Sequence, residues 1–244
     1  MPSTQSKWYI KLGCLSPIIG ILALIYLLNQ QIYLPGYIIF FIFFGLAVLF
    51  LYLSNQSEEK EKKKQIDHLQ SIVPKDTSYV ESHAFISYDL LSKIAVDEKK
   101  RRIYFWSPVQ SGQAPVKRAY LNMPYDISSY RYENLLAIEI YENGMLQKGA
   151  INQNEKTGEK ITALGQTIDH QQQSFSKLRK VIHRKVSTLE MKIIIDDAKQ
   201  PVRVIRFYSN IDKRLKKDSS EYIAIKKEAD HWLHLLTFLM EQSE

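Results

Sequence analysis

Residues 12–28 read Leu-Gly-Cys-Leu-Ser-Pro-Ile-Ile-Gly-Ile-Leu-Ala-Leu-Ile-Tyr-Leu-Leu, and residues 37–53 read Tyr-Ile-Ile-Phe-Phe-Ile-Phe-Phe-Gly-Leu-Ala-Val-Leu-Phe-Leu-Tyr-Leu. Neither run holds a charged side chain. A helix needs about 20 residues, and about 17 at the low end, to cross a hydrocarbon core. Lipid offers backbone N–H and C=O groups no partner, so a run of this length and polarity is expected to form a helix that satisfies its own. The two runs predict a transmembrane helical hairpin over residues 1–54. A cleaved signal peptide fits less well: Lys7 and Lys11 precede the first run, but its end, Leu27-Leu28-Asn29-Gln30-Gln31-Ile32, offers no small-residue cleavage site. Cys14 is no lipoprotein cysteine either, since the apolar core follows it.

Flanking charge orients this hairpin. Lys7 and Lys11 precede it, Lys60, Lys62, Lys63 and Lys64 follow it, and the connection Asn29–Gly36 is uncharged. Positive flanks remain on the cytoplasmic side, so both termini are expected there. Residues 55–78 read as a charged juxtamembrane linker or as the polar continuation of the second helix, with Pro74 near the end. Beyond the hairpin roughly 190 of the 244 residues remain, enough for one domain with its own core. A single cysteine excludes an intramolecular disulfide. The formal charge of +7 beside such an anchor points first to anionic lipid headgroups. Nucleic acid ranks last as a partner, because no nucleic-acid-reading module accompanies the charge.

Residues 79–244 are β-rich in pattern. Leu91–Val96 and Arg101–Trp106 flank the polar turn Asp97-Glu98-Lys99-Lys100, which predicts a hairpin. Leu135–Glu142 leads into Asn143-Gly144, the strongest short turn signal in the chain. Leu189–Ile195 and Val202–Tyr208 form a third hairpin, with Leu189, Met191, Ile193 and Ile195 on one face. Two stretches read as helix. Residues 160–185 place Ile161, Leu164, Ile168, Phe175, Leu178 and Ile182 on an a/d-like stripe. Residues 220–242 form a closing helix that Ser219 or Ser220 can cap, with Glu221 suited to its first turn.

This order of elements, together with Ile94–Ile103, Tyr132–Gly144, Leu189–Ile195 with Asp196, Asp197 and Pro201, and Ala224–Leu239, resembles small bacterial domains of the pleckstrin-homology-like (PH-like) family. The resemblance spans about Tyr79–Glu244. It does not extend over Lys148–Lys185, where those domains carry a Gly-rich segment and this chain an amphipathic helix. It implies an α+β fold: an antiparallel PH-like barrel or sandwich closed by a C-terminal helix, here behind a two-helix anchor. It implies a binding or adaptor role and carries over no catalytic residue, and with the anchor the expected location is a bacterial plasma membrane.

The residues themselves offer little chemistry. His231 and His234 are spaced i, i+3 and His83 lies elsewhere, too few ligands for zinc; no metal or cofactor is expected. Asp196-Asp197 favours local turn bonding. Gly-rich phosphate loops, Gly-x-Ser-x-Gly and His-Glu-x-x-His are absent from the sequence. Lys177, Arg179, Lys180, Arg184 and Lys185 crowd one helix half, with Arg203 and Arg206 on a later strand. They read as a solvated face or as a surface for anionic lipid or a phosphate-bearing ligand. The stripe Ile161–Ile182 packs on its own sheet or pairs with a second copy or a protein partner. The expectation is a membrane-anchored cytoplasmic adaptor without catalysis. The alternative is a ligand-sensing two-helix effector that oligomerises and perturbs the membrane.

Overall fold

The computed structural model describes residues 4–76, 78–109, 116, 118–154, 156–164 and 184–242. The chain is α+β. It divides into two compact units, one of Met1–Ser71 with Tyr120–Met123 and one of Ile72–Ala119 with Pro124–Glu244.

In the first unit, helix α1 (Thr4–Asn29) reverses through a short turn into α2 (Tyr33–Ser71). Gln31 takes a left-handed φ of 61° at the reversal. The helices run antiparallel, because contacts climb α1 as they descend α2. The Ser6 and Ser54 hydroxyls lie 2.8 Å apart, the Tyr9 and Phe50 rings stack, and Ser16 Oγ donates to the Phe43 carbonyl at 3.0 Å. Gly20 sets the closest approach: a Cβ there would stand 2.9 Å from Phe43 Cβ. Small residues at the crossing let the two helix backbones approach closely and gain dispersion contact. Both helices are long and apolar enough to cross a membrane, and only 17% and 11% of their apolar stretches is buried.

Helix α2 does not stop where its apolar run stops. It continues to Ser71, 39 residues in all, about 58 Å at 1.5 Å per residue. Most of the expected linker over 55–78 is therefore helix. The sequence allows this, since Glu58/Lys62 and Glu59/Lys63 are i, i+4 pairs in the favourable order and every residue from Gln56 to Gln65 tolerates helix. Pro74 follows just beyond the end. The polar end of α2 also holds Tyr120–Met123. Gln65 Oε1 accepts the Asn122 N–H at 2.9 Å, and His68 Nε2 donates to the Met123 carbonyl at 3.1 Å.

In the second unit, β1 (His83–Ile86), β2 (Lys93–Asp97), β3 (Arg102–Pro108) and β4 (Tyr125–Arg131) form an antiparallel sheet in that order. A 3-10 turn, Tyr132–Asn134, leads to a second antiparallel sheet. Its spatial order is β6 (Met145–Ile151), β5 (Leu135–Glu142), β8 (Thr188–Ile195), β9 (Val202–Ser209). A short ladder joins β7 (Lys185–Val186) to β10 (Leu215–Lys216). These are separate sheets rather than one closed barrel. The core lies between them: Ile94, Val96, Ile103 and Phe105 face Ile138, Leu189, Met191, Ile193 and Ile195. The period-two face expected on β8 is thus the buried face.

Helix α4 (Ser220–Glu241) closes this core with Tyr222, Ala229, Trp232, Leu233 and Leu236. Ser219 is its cap, its Oγ accepting the Tyr222 N–H at 3.3 Å. At the β5–β6 turn, Asn143 and Gly144 have φ of 50° and 80°, the left-handed pair a two-residue hairpin requires. Asn143 does more than turn: its Oδ1 accepts the Ser187 and Thr188 N–H groups, tying this hairpin to the start of β8. A helical segment, α3 (157–164), lays Ile161 and Leu164 against Leu136, Ala137 and Ile194 on the outer face of the second sheet.

The helix expected over 160–185 needs correction at both ends. It starts earlier, at residue 157, while Arg184 sits in a turn and Lys185 opens β7, where it pairs with Lys216. A strand ladder supplies backbone partners that the helical pattern could not foresee. Residues 165–183 lie outside the described residues.

Candidate functional site

A cleft of the second unit opens where the β2–β3 turn meets the end of β4. It measures about 760 Å³ and is lined by Asp76, Ser78, Lys100, Arg101, Arg102, Arg131, Tyr132 and Glu133. Asp97 shapes it from below. This carboxylate is fully buried, its Oδ1 accepting the Lys100 N–H at 3.1 Å and its Oδ2 the Val80 N–H at 3.0 Å. The turn so fixed carries Arg101 in the left-handed region, φ 53°, and sends three consecutive cations to the rim. Arg131 arrives from the neighbouring strand, directly opposite Arg102 in the β3–β4 ladder.

Four cations here face two carboxylates. Lys100 pairs with Asp76, and that contact, helped by the Ser78 N–H, holds the Asp76 carboxyl below the ordinary carboxylate range. Arg131 reaches Glu133 at 3.3 Å, and Arg102 Nη1 donates to the Ser129 hydroxyl at 3.0 Å. Arg101 donates to the Gln242 carbonyl and lies 5.9 Å from the centroid of the Tyr132 ring. The Tyr132 hydroxyl is buried with no hydrogen-bond partner among the described residues, and burial raises its pKa. The site offers point charges and guanidinium forks. Such a lining is suited to holding an anion.

The sequence signal for this cleft is Lys99-Lys100-Arg101-Arg102, four cations in a row, which read as the end of a polar turn and the start of the strand after it. Arg131 carries no local signal; only strand register brings it to Arg102. The residues singled out from sequence fall elsewhere. Lys177, Arg179 and Lys180 lie outside the described residues, and Arg184 and Lys185 are exposed in a turn and on β7. Arg203 is buried, bonded to Tyr130 and Ser107, and Arg206 pairs with Asp89 and Glu190. Those two arginines hold the fold together. Of the apolar stripe, Ile161 and Leu164 pack on their own sheet, while Ile168, Phe175, Leu178 and Ile182 lie outside the described residues.

Other clusters are structural. Asp197 accepts the Lys199 N–H at 2.9 Å, in keeping with turn chemistry, and Asp196 pairs with Lys160 at 2.7 Å. His83 and His231 stand 6.3 Å apart, ring to ring, but no group of three metal-binding side chains occurs among the described residues. A smaller cavity beside Glu142 is crossed by the bonds that Tyr222 and Lys217 make to that carboxylate. Comparison of the chain with known protein families, with curated proteins and with solved structures gives no match.

Proposed function

We propose that the chain is a membrane-anchored binding module. In this reading α1 and α2 cross a bacterial plasma membrane, both termini are cytoplasmic, and the second unit is a PH-like domain that engages an anionic group or a protein partner without catalysis. One observation carries it: two long helices whose apolar side chains are mostly unburied, ahead of a unit that has a core of its own. A helix forming the core of a soluble fold would be mostly buried. Leu34 is 73% exposed, Phe41 66% and Leu22 62%, a continuous apolar surface far larger than a soluble monomer carries. Lys7 and Lys11 at one end and Lys60–Lys64 at the other support the orientation. The PH-like reading is supported by the succession of a four-stranded sheet, a second four-stranded sheet and a capped closing helix. The binding role is supported by the cationic lining of the cleft.

The anchor is tested by washing membranes from expressing cells with alkaline carbonate and floating them on a density gradient. The full-length chain should remain with the lipid. Recovery in the soluble fraction would refute the anchor.

A further inference from the structure

We infer that the cleft between the β2–β3 turn and the end of β4 is a binding site for a phosphate group, borne by a soluble ligand or by a lipid headgroup. The inference rests on the second unit being a binding module and adds the chemistry of what it takes. Arg102 and Arg131 are Cα partners on adjacent strands. Like charges directly opposite one another destabilise a sheet, and Lys100 and Arg101 deepen the repulsion from the adjoining turn. Asp97 stands opposite Arg102 in the β2–β3 ladder, but its two oxygens are taken by the Lys100 and Val80 N–H groups, and the carboxylates at the rim answer little of the repulsion. Asp76 is engaged by Lys100. The Arg131–Glu133 pair has side chains 68% and 59% exposed, a setting in which ion pairs contribute little. Arg102 is left with a neutral partner, the Ser129 hydroxyl.

An anion held between the strands removes this repulsion. Guanidinium forks present paired N–H donors in the plane that phosphate oxygens match, which is why arginine is favoured wherever phosphate is recognised. The four cations of the lining outnumber its two carboxylates, and still outnumber the carboxylates when the buried Asp97 beneath them is counted, so the cleft stays positive toward a phosphate group. At about 760 Å³ the cleft has the size of a small-molecule site. It is open to solvent rather than enclosed, so a phosphate on a larger carrier can reach it.

The test uses the full-length chain in a neutral detergent. One arm adds inorganic pyrophosphate; the other adds micelles of the same detergent carrying phosphatidic acid, with phosphatidylcholine as control. Thermal unfolding and titration calorimetry are read in both. The wild type should bind at least one phosphate probe and gain Tm with it. Binding of pyrophosphate alone assigns a soluble carrier, and binding of phosphatidic acid alone a lipid. Arg131→Gln should bind about tenfold more weakly, the effect of one charge-assisted hydrogen bond, and its ligand-free Tm should rise because a facing charge is gone. Arg131→Lys keeps the charge and loses the fork, so its ligand-free Tm stays at the wild-type value while its affinity falls. Arg102→Gln repeats the test from the other strand. A merely structural Arg131 would lower the ligand-free Tm on replacement. The inference is overturned if neither probe binds the wild type, or if Arg131→Gln binds as the wild type does. Membrane retention in carbonate would stand regardless, so the two failures are distinguishable.

Discussion

Replacing Trp106 by phenylalanine probes how Ile72–Ser82 is held on the outer face of the first sheet. Trp106 is fully buried. Its indole Nε1 donates to the Ile72 carbonyl at 2.9 Å, Lys93 Nζ lies 4.6 Å from the ring centroid, and the Tyr79 and Tyr104 rings lie 6.4 Å away. Phenylalanine keeps an aromatic face but loses the donor and one fused ring. The lost hydrogen bond contributes about 1 kcal/mol. Weaker attraction for the nearly buried Lys93 adds about 0.5–1 kcal/mol. The space left by the missing ring adds about 1–2 kcal/mol, scaled from whole-side-chain deletions. The sum is about 2.5–4 kcal/mol. With a urea slope of about 2 kcal/mol per molar, the middle of the usual range, the unfolding midpoint should fall by about 1–2 M. Trp232, buried on α4, reports that transition by fluorescence. The exposed Lys75 should also become a faster trypsin site, because the carbonyl anchor three residues before it is gone. An unchanged midpoint with unchanged cleavage at Lys75 would refute the view that the indole fastens this segment.

Other expectations follow the same reasoning. Burial pushes the Asp197 carboxyl up, but hydrogen bonds from Tyr130 and from the Lys199 and Gln200 N–H groups, with Arg203 nearby, outweigh it and hold the pKa below 3.8. A carboxylate lowered on folding stabilises fully above its unfolded value and loses that contribution as pH falls through the folded value. Asp197→Asn should therefore destabilise the protein at neutral pH and flatten its loss of stability below pH 3.8, as read from urea midpoints across pH. Leu236→Ala removes a fully buried side chain from α4 and should cost about 2–5 kcal/mol, measured by the same denaturation. In the helix hairpin, Gly20→Leu forces α1 away from Phe43. A disulfide engineered by Ser6→Cys and Ser54→Cys, in a Cys14→Ser background, should form readily in the parent and slowly with Gly20→Leu, as seen on non-reducing gels.

Much of the architecture was legible in the sequence where one physical signal dominates. Uncharged runs declare the long apolar helices. Leu189, Met191, Ile193 and Ile195 on one face declare a strand, and Asn143-Gly144 a hairpin, because few other residues accept two successive positive φ values. Serine ahead of an amphipathic run declares the start of α4. Legibility failed where structure depends on partners distant in sequence. β4 is polar, Tyr-Asp-Ile-Ser-Ser-Tyr-Arg, and is a strand because β3 supplies its ladder. Lys185 left the helical pattern for the same reason, to pair with Lys216. Helix α2 outran its apolar stretch because its charges are spaced for helix, a weak signal beside a strong one. The cleft shows the limit most clearly: Lys100, Arg101 and Arg102 stood in plain view at the junction of a turn and a strand, and only the register that sets Arg131 against Arg102 gathers four cations at one rim.

Single cysteines read by a membrane-impermeant maleimide test the membrane claim most directly. In a Cys14→Ser background, Gln31→Cys marks the turn between α1 and α2, and Glu241→Cys marks the end of α4. In intact spheroplasts the first should label at once and the second only after lysis. Labelling of Glu241→Cys before lysis, or protection of Gln31→Cys until lysis, would contradict a hairpin that crosses the bilayer and holds both termini inside.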